Sequence, residues 1–195
     1  MDSILKYMET VAQPMDILLL GRDSFLGRLI QFAQRVQTKD GKPSLWSHCA
    51  LYAEDDDILE STIDLEKFEG GRRLDNGVQY NPIERILTYD RIMLIQLPIT
   101  PIQREVLIKR ADRLYKDRLT YSISGLLGSL LSYWIFRWQS NPLQTKHSLY
   151  CSAFVALVYE AIQVDFDPHH TARNTSPEMI YQYHCEGIKK IPLRM

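Results

Sequence analysis

The chain has 195 residues, of which 45% are hydrophobic and 24% are charged. This composition is typical of a soluble globular protein, and the length predicts a single domain spanning residues 1–195. The formal net charge is -1 at pH 7, so there is no basic excess to neutralise phosphates, and we expect no nucleic-acid partner. The three cysteines form no CxxC pair, and they imply neither a disulfide framework nor a zinc site.

Two stretches bear on membranes and on the cellular compartment. Residues 1–6 lack the basic start and unbroken apolar run of a signal peptide, which makes the cytoplasm the default prediction. Residues 119–136 carry no charged side chain, but their polar residues and glycines keep the segment below the hydrophobicity of a membrane span. We interpret this segment as buried or interfacial.

The first part of the chain predicts a helix, a strand and a second helix. Residues 3–12 have an amphipathic pattern that Pro14 ends. The apolar run at 15–21 ends at a glycine and has the length of a strand buried on both faces. Asp23 or Ser24 can then cap a helix. The helical periodicity of that segment comes from Phe25, Leu26, Leu29, Ile30, Phe32 and Ala33.

The centre of the chain predicts strands. Aromatic and apolar residues suited to a pleated surface fill positions 45–53. The acidic turn at 54–57 joins them to a second apolar run at 58–63, and the two runs predict a hairpin. Two further strands are predicted at 77–80 and 92–97.

After residue 99 the pattern changes to helices. Thr100 followed by Pro101 is typical of a helix N-cap with proline in the first turn, and Ser176 begins a similar pattern near the end of the chain. Between them, one helical stripe is predicted from Phe154, Val155, Val158, Ala161 and Ile162. The order of helix, several strands and then helices predicts an α+β fold.

Cys151 lies where a loop ends and this late helix begins. The first backbone N–H groups of a helix have no intrahelical partner, and with the helix dipole they favour a thiolate over a thiol. The position therefore suits a nucleophile. The alternative interpretation is a buried cysteine that packs as a small hydrophobic side chain.

A cysteine nucleophile needs a base within hydrogen-bond reach and a group that orients the base. His48 lies in a predicted strand and is the candidate base. By the two-residue period of a strand, its face is shared with Trp46, Ala50 and Tyr52. Glu60 lies in the adjoining strand of the hairpin, from which it can approach His48 and accept its ring N–H. A core histidine with a partner of its own and an exposed strand carboxylate are the alternatives.

Six short motifs follow one another between residues 14 and 179. They occupy positions 14–19, 44–52, 58–61, 77–78, 150–155 and 175–177. In their order and spacing they resemble the permuted NlpC/P60 family of papain-like cysteine hydrolases, and in particular its YiiX-type branch. The resemblance covers nearly the whole chain.

This resemblance implies a circularly permuted papain-like fold, in which an antiparallel sheet or a small barrel packs against helices. It implies that Cys151 is the nucleophile, that His48 is the general base and then the acid, and that Glu60 orients the histidine. Tyr121 matches the tyrosine upstream of the family's cysteine. Its hydroxyl would join the backbone N–H of Cys151 in an oxyanion hole.

The predicted activity is hydrolysis of an amide bond, in a peptide or an N-acyl amino acid, through an acyl-enzyme. One alternative is a lipid-directed thiol acyltransferase or esterase, because the related lecithin:retinol acyltransferase-like proteins use the same Cys-His logic. That activity would use residues 122–138 against a membrane surface, but serines and glycines break their apolar stripe, and we favour a core helix there. A non-catalytic binding module on the same fold is the third alternative.

The expected partner is a small-molecule, peptide or lipid-like substrate that carries an amide or ester bond. His169 and His170 have no third ligand at metal spacing. We therefore predict neither a metal ion nor another cofactor.

Overall fold

The protein has an α+β architecture in which helices pack on an open antiparallel sheet of six strands. The computed structural model describes residues 3–54, 56–62, 77–120, 128, 149–169 and 171–195. The helices are α1 (Ser3–Val11), α2 (Phe25–Ala33), α3 (Pro101–Lys116), α4 (Cys151–Tyr159) and α5 (Pro177–Gln182). The strands are β1 (Ile17–Gly21), β2 (His48–Tyr52), β3 (Asp57–Thr62), β4 (Gly77–Pro82), β5 (Arg91–Gln96) and β6 (Lys189–Arg194).

Strand β1 lies inside the sheet, whose order is β4-β3-β2-β1-β5-β6. It pairs antiparallel with β2, which places Leu20 opposite His48, and with β5, which places Leu18 opposite Leu94. Strands β4 and β6 form the two edges. Of the two sheet forms implied by the resemblance, the antiparallel sheet is therefore the one observed, and it does not close into a barrel.

Both faces of the sheet are buried, as the apolar run of β1 predicted. On one face Ile17 and Leu19 join the hydrophobic cluster that also contains residues of α3 and α4. On the other face Leu18 and Leu20 pack in a second cluster with Leu5 of α1. A strand with apolar neighbours on both sides carries a continuous hydrophobic run instead of an alternating one.

The predicted helix starts are confirmed by their caps. Ser24, and not Asp23, caps α2, with its side chain accepting a hydrogen bond from the backbone N–H of Gly27. Thr100 caps α3 in a capping box with Gln103. Each cap satisfies a backbone donor that has no partner within the helix.

Helix α4 is shorter and more buried than its sequence pattern indicated. All of its residues are buried, and Ala161 and Ile162 lie beyond its end in the 3-10 helix Glu160–Ile162. The prediction of one apolar stripe was wrong because the helix lies between the sheet and further core residues such as Phe166 and Ile180. A helix enclosed on all sides is apolar on all sides.

Two more details differ from the prediction. Trp46 does not share a face with His48, because β2 begins at His48 and Trp46 packs in the cluster on the α4 side of the sheet. Strand β6 was not predicted. Its lysines and Pro192 are unusual in a central strand, but they suit the edge position that it occupies.

Some predictions fall outside the described residues. They concern Tyr121, His170, the strand position Ile63, and the segment 122–138 apart from Gly128. Across the ranges that are described, no helix is long and apolar enough to cross a membrane.

Phe154 tests the central position of α4 in the core. Its side chain is completely buried, so Phe154→Ala should lower the free energy of unfolding by about 3–5 kcal/mol through lost burial and a residual cavity. Ile102 of α3 is 76% exposed, and Ile102→Ala should change stability by less than about 0.5 kcal/mol. Urea unfolding of both variants measures the difference, and equal losses would contradict the placement of α4.

Candidate active site

Cys151 begins α4, and its position is fixed by the segment before it. Tyr150 is the extended N-cap residue, and its carbonyl accepts the backbone N–H of Phe154 at 3.0 Å. One residue earlier, the carbonyl of Leu149 accepts a hydrogen bond from Ser61 Oγ of β3 at 2.8 Å. The start of α4 is therefore tied to the sheet. The N-cap Tyr150 makes no side-chain cap hydrogen bond, and the backbone N–H groups of the first turn have no partner within the helix.

His48 begins β2, and its side chain is largely enclosed, with 12% of its surface exposed. The imidazole stacks on the Tyr89 ring, with centroids 5.9 Å apart and planes 9° apart. The guanidinium carbon of Arg22 lies 5.5 Å from the centre of the same tyrosine ring. Stacking holds the plane of the imidazole and leaves its nitrogens to form hydrogen bonds at the ring edge.

Glu60 is a fully buried carboxylate with three partners. The register of β2 and β3 places it diagonally across from His48 on the same face of the sheet. Its Oε2 atom is hydrogen-bonded to Nε2 of His48. Its Oε1 atom accepts from Asn81 Nδ2 at 2.8 Å and lies 3.1 Å from Nε of Arg85. Glu60 therefore contacts His48, as the hairpin pattern predicted.

These contacts move the pKa values of Glu60 and His48 in opposite directions. Burial raises the pKa of Glu60, but the contacts with His48, Arg85 and Asn81 outweigh burial and leave it lowered. Burial also disfavours charge on His48, but its electrostatic coupling to Tyr89, Cys151 and Glu60 outweighs burial and holds the pKa of the imidazole well above its ordinary value. The charged forms of both groups are stabilised.

Cys49 is a neighbour of Cys151 that sequence reasoning left without a role. It follows His48 in β2, so its side chain points to the opposite face, where α4 packs. A hydrogen bond from the Cys49 thiol, followed by the influence of His48, keeps the pKa of Cys151 well below its ordinary value despite burial. Burial, and then the same hydrogen bond, raises the pKa of the Cys49 thiol. Cys49 therefore stays protonated, and its S–H group donates a hydrogen bond to the Cys151 sulfur.

The lowered pKa of Cys151 and the raised pKa of His48 favour a thiolate next to an imidazolium. Because Nε2–H of His48 is directed to Glu60, Nδ1–H is the donor that remains for the Cys151 sulfur. A thiolate is the reactive form of cysteine, and an imidazolium can give its proton to a leaving group. The arrangement can therefore attack an acyl carbon and protonate the atom that departs.

The structure thus brings three of the four predicted site residues together. The fourth, Tyr121, lies outside the described residues, so the predicted second oxyanion donor stays a prediction. Sequence reasoning missed Cys49, Asn81, Arg85 and Tyr89. Only Cys49 had a signal, since strand alternation next to His48 directs it to the face that receives the cysteine helix.

Two searches complete the description of this site. Neither the scan against protein-family models nor the search of curated proteins matched the chain. Within residues 3–54, 56–62, 77–120, 128, 149–169 and 171–195, no group of three or more His, Cys, Asp and Glu side chains could hold a metal ion. The contacts around Cys151, His48 and Glu60 are therefore the features of the chain that indicate a function.

The thiolate of Cys151 should persist through the neutral pH range. As the pH falls through the lowered pKa of Cys151, the sulfur is protonated and the thiolate is lost. As the pH rises through the raised pKa of His48, the imidazolium is lost while the thiolate stays. The ultraviolet absorbance of the thiolate, compared between wild type and Cys151→Ser during acid titration, measures this.

His48→Ala should move the pH at which the Cys151 thiolate is protonated to a higher value. Cys185→Ser is the control and should leave that pH unchanged. A transition that is unchanged by His48→Ala would contradict the ion pair.

Cys49→Ala should raise the pKa of Cys151, because the thiolate loses the hydrogen bond that lowers this pKa most. Cys49→Ser keeps a donor at the same position and should produce a smaller change. The rate of alkylation by iodoacetamide as a function of pH reports both variants, and equal profiles for Cys49→Ala and wild type would contradict this role of Cys49.

Proposed function

We propose that the protein is a cysteine hydrolase that cleaves an amide bond in a peptide or an N-acyl amino acid. This proposal is supported by the buried chain of interactions that runs from Cys151 to His48 and from His48 to Glu60, in which each group favours the charged form of the next. A nucleophile, a base and an orienting group in contact form the constellation that acyl transfer requires. A cysteine that merely packs in the core would need neither a lowered pKa nor a neighbouring imidazole whose pKa is raised.

In the acylation step, the Cys151 thiolate attacks the carbonyl carbon, and a C–S bond forms as the carbonyl π electrons move to oxygen. The tetrahedral intermediate then collapses, the C–N bond breaks, and His48 gives its Nδ1 proton to the departing amine. The product is a thioester on Cys151 and a neutral imidazole. Glu60 holds the ring orientation and stabilises its charged form before transfer.

In the deacylation step, His48 takes a proton from water, and the resulting hydroxide attacks the thioester carbonyl. The C–S bond breaks, which releases a carboxylic acid and returns the electron pair to sulfur. The thiolate and imidazolium are then restored. Ester hydrolysis and acyl transfer to another acceptor would use the same residues and differ only in the bond broken first or in the group that replaces water.

The negative charge that develops on the carbonyl oxygen needs donors that are already in place. The backbone N–H of Cys151 is one, because it lies in the first turn of an uncapped helix. The resemblance to the permuted NlpC/P60 family suggests the hydroxyl of Tyr121 as the second. With the family's roles carried over in this way, the proposed fold is the permuted papain-like one, in which the histidine strand precedes the cysteine helix.

Cys151→Ala should abolish turnover of amide and ester substrate libraries, because no other group supplies the nucleophile. His48→Ala should lower kcat by about 10²–10⁴-fold, the contribution of a general acid–base group. Glu60→Gln removes a charge that raises the pKa of His48. On the alkaline side of the pH–rate profile, the activity of Glu60→Gln should therefore fall at a lower pH than the activity of wild type.

Cys185→Ala is the matched control, since it makes the same chemical change at a partly exposed cysteine elsewhere in the fold. Its rates should equal those of wild type. Turnover that survives Cys151→Ala would refute the mechanism. Absence of turnover together with an ordinary, slowly alkylated Cys151 would favour a non-catalytic binding module.

A further inference from the structure

Helix α2 carries an apolar face that points to solvent. Phe25 is 88% exposed, and further along the same face Leu29 and Phe32 are 43% and 42% exposed. Spacings of four and three residues place these side chains in one stripe. Leu26 and Val36, which are 53% and 51% exposed, extend the apolar surface at its side and its end. We call these five residues the α2 face.

The opposite side of α2 packs on the core through Ile30 and is also held by polar contacts of buried glutamines. Gln34 is fully buried, and its Nε2 donates to the carbonyl of Trp46 at 2.8 Å. Gln31 is also buried, and its Nε2 donates to the carbonyl of Leu45 at 3.2 Å. Gly27 faces Arg22 so closely that an added Cβ would lie 2.0 Å from its carbonyl oxygen. These contacts orient α2 with its phenylalanines on the outer side.

The charge around the α2 face is positive, although the chain as a whole carries -1. Residues 22–42 contain five basic side chains, namely Arg22, Arg28, Arg35, Lys39 and Lys42, and two acidic ones, Asp23 and Asp40. Both acidic side chains are already paired, Asp23 with Arg91 and Asp40 with Lys42. Arg35 lies over the Phe32 ring at 4.4 Å, so positive charge borders the stripe directly.

We propose that the α2 face docks on an anionic lipid surface. Exposed phenylalanines and leucines can enter the boundary between headgroups and acyl chains, while neighbouring arginines and lysines meet the negative headgroups. An apolar stripe of this kind exposed to water is costly for a soluble surface and marks an interaction site. Because basic residues outnumber acidic ones in this segment, we expect the α2 face to bind an anionic surface.

The loop that leads into α2 contacts the candidate active site through Arg22. The backbone N–H of Arg22 donates to Ser47 Oγ at 3.0 Å, one residue before His48. The Arg22 guanidinium lies over Tyr89, the ring on which His48 stacks. Docking through α2 would bring the His48 end of β2 close to the lipid. Resting on the proposed function, we infer that the amide substrate is a molecule held at that surface.

Sedimentation of the full chain with phospholipid vesicles tests the docking. Wild type should pellet with vesicles of phosphatidylcholine and phosphatidylserine, and at least tenfold less with phosphatidylcholine alone or at high salt. The double substitution Phe25→Ser/Phe32→Ser and the single substitution Arg28→Glu should each reduce pelleting about tenfold or more. Ile102→Ser/Val106→Ser, which removes exposed apolar side chains from α3, is the matched control and should pellet like wild type.

Cys151→Ala should also pellet like wild type, so docking is measured independently of catalysis, and turnover of water-soluble amides is assayed separately. Arg28→Glu keeps the experiment decisive if the double variant fails to fold, as circular dichroism would reveal. Wild type that stays in the supernatant, or α2 variants that pellet like wild type, would overturn the proposal. A wild-type dimer that becomes a monomer in the double variant, without vesicle binding, would show that a second copy is the occupant.

Discussion

The buried carboxylate of Glu60 is the constraint on which the rest of the site depends. An ionised carboxylate without partners costs several kcal/mol or more in a protein interior, so its position requires compensation. His48, Asn81 and Arg85 supply that compensation from β2, β4 and the 3-10 helix Ile83–Thr88. Because removing one partner would leave the charge uncompensated, these three elements are held in a single arrangement around the ring of His48.

A second charge, on Cys151, connects the two faces of the sheet. His48 and Glu60 lie on the face of α1, whereas Cys49 and α4 lie on the other. Strands β2 and β3 are paired at Leu51–Leu59 and at Tyr52–Ile58. At the His48 end of β2, the Cys151 sulfur interacts with residues from both faces of the sheet. The thiolate is thus stabilised by a thiol from one face and an imidazolium from the other. The packing of α4 on the sheet therefore brings the Cys151 sulfur to the imidazole.

In α2 the phenylalanines lie on the solvent side and the glutamines on the buried side. Most surface helices direct glutamines outward and phenylalanines inward, because water solvates amides and excludes apolar rings. Gln31 of α2 and the C-cap residue Gln34 donate from the buried side to the carbonyls of Leu45 and Trp46, which lie before β2. Satisfying these buried carbonyls leaves the aromatic residues outside, where a lipid surface would replace the missing core.

The sequence by itself determined the α+β class, the first strand buried on both faces, the helix starts at Thr100 and Ser176 and a third at Asp23 or Ser24, and the candidate pair of His48 and Cys151. The strand and the helix starts are local features, since caps and apolar runs act within a few residues. The tertiary structure alone decided the central place of β1, the strand β6, the full burial of α4, and the partners Asn81, Arg85 and Tyr89. It also placed Cys49 beside Cys151 and the phenylalanines of α2 in solvent. Such outcomes depend on which distant segments meet, and periodicity cannot tell a face that meets the core from one that meets another surface.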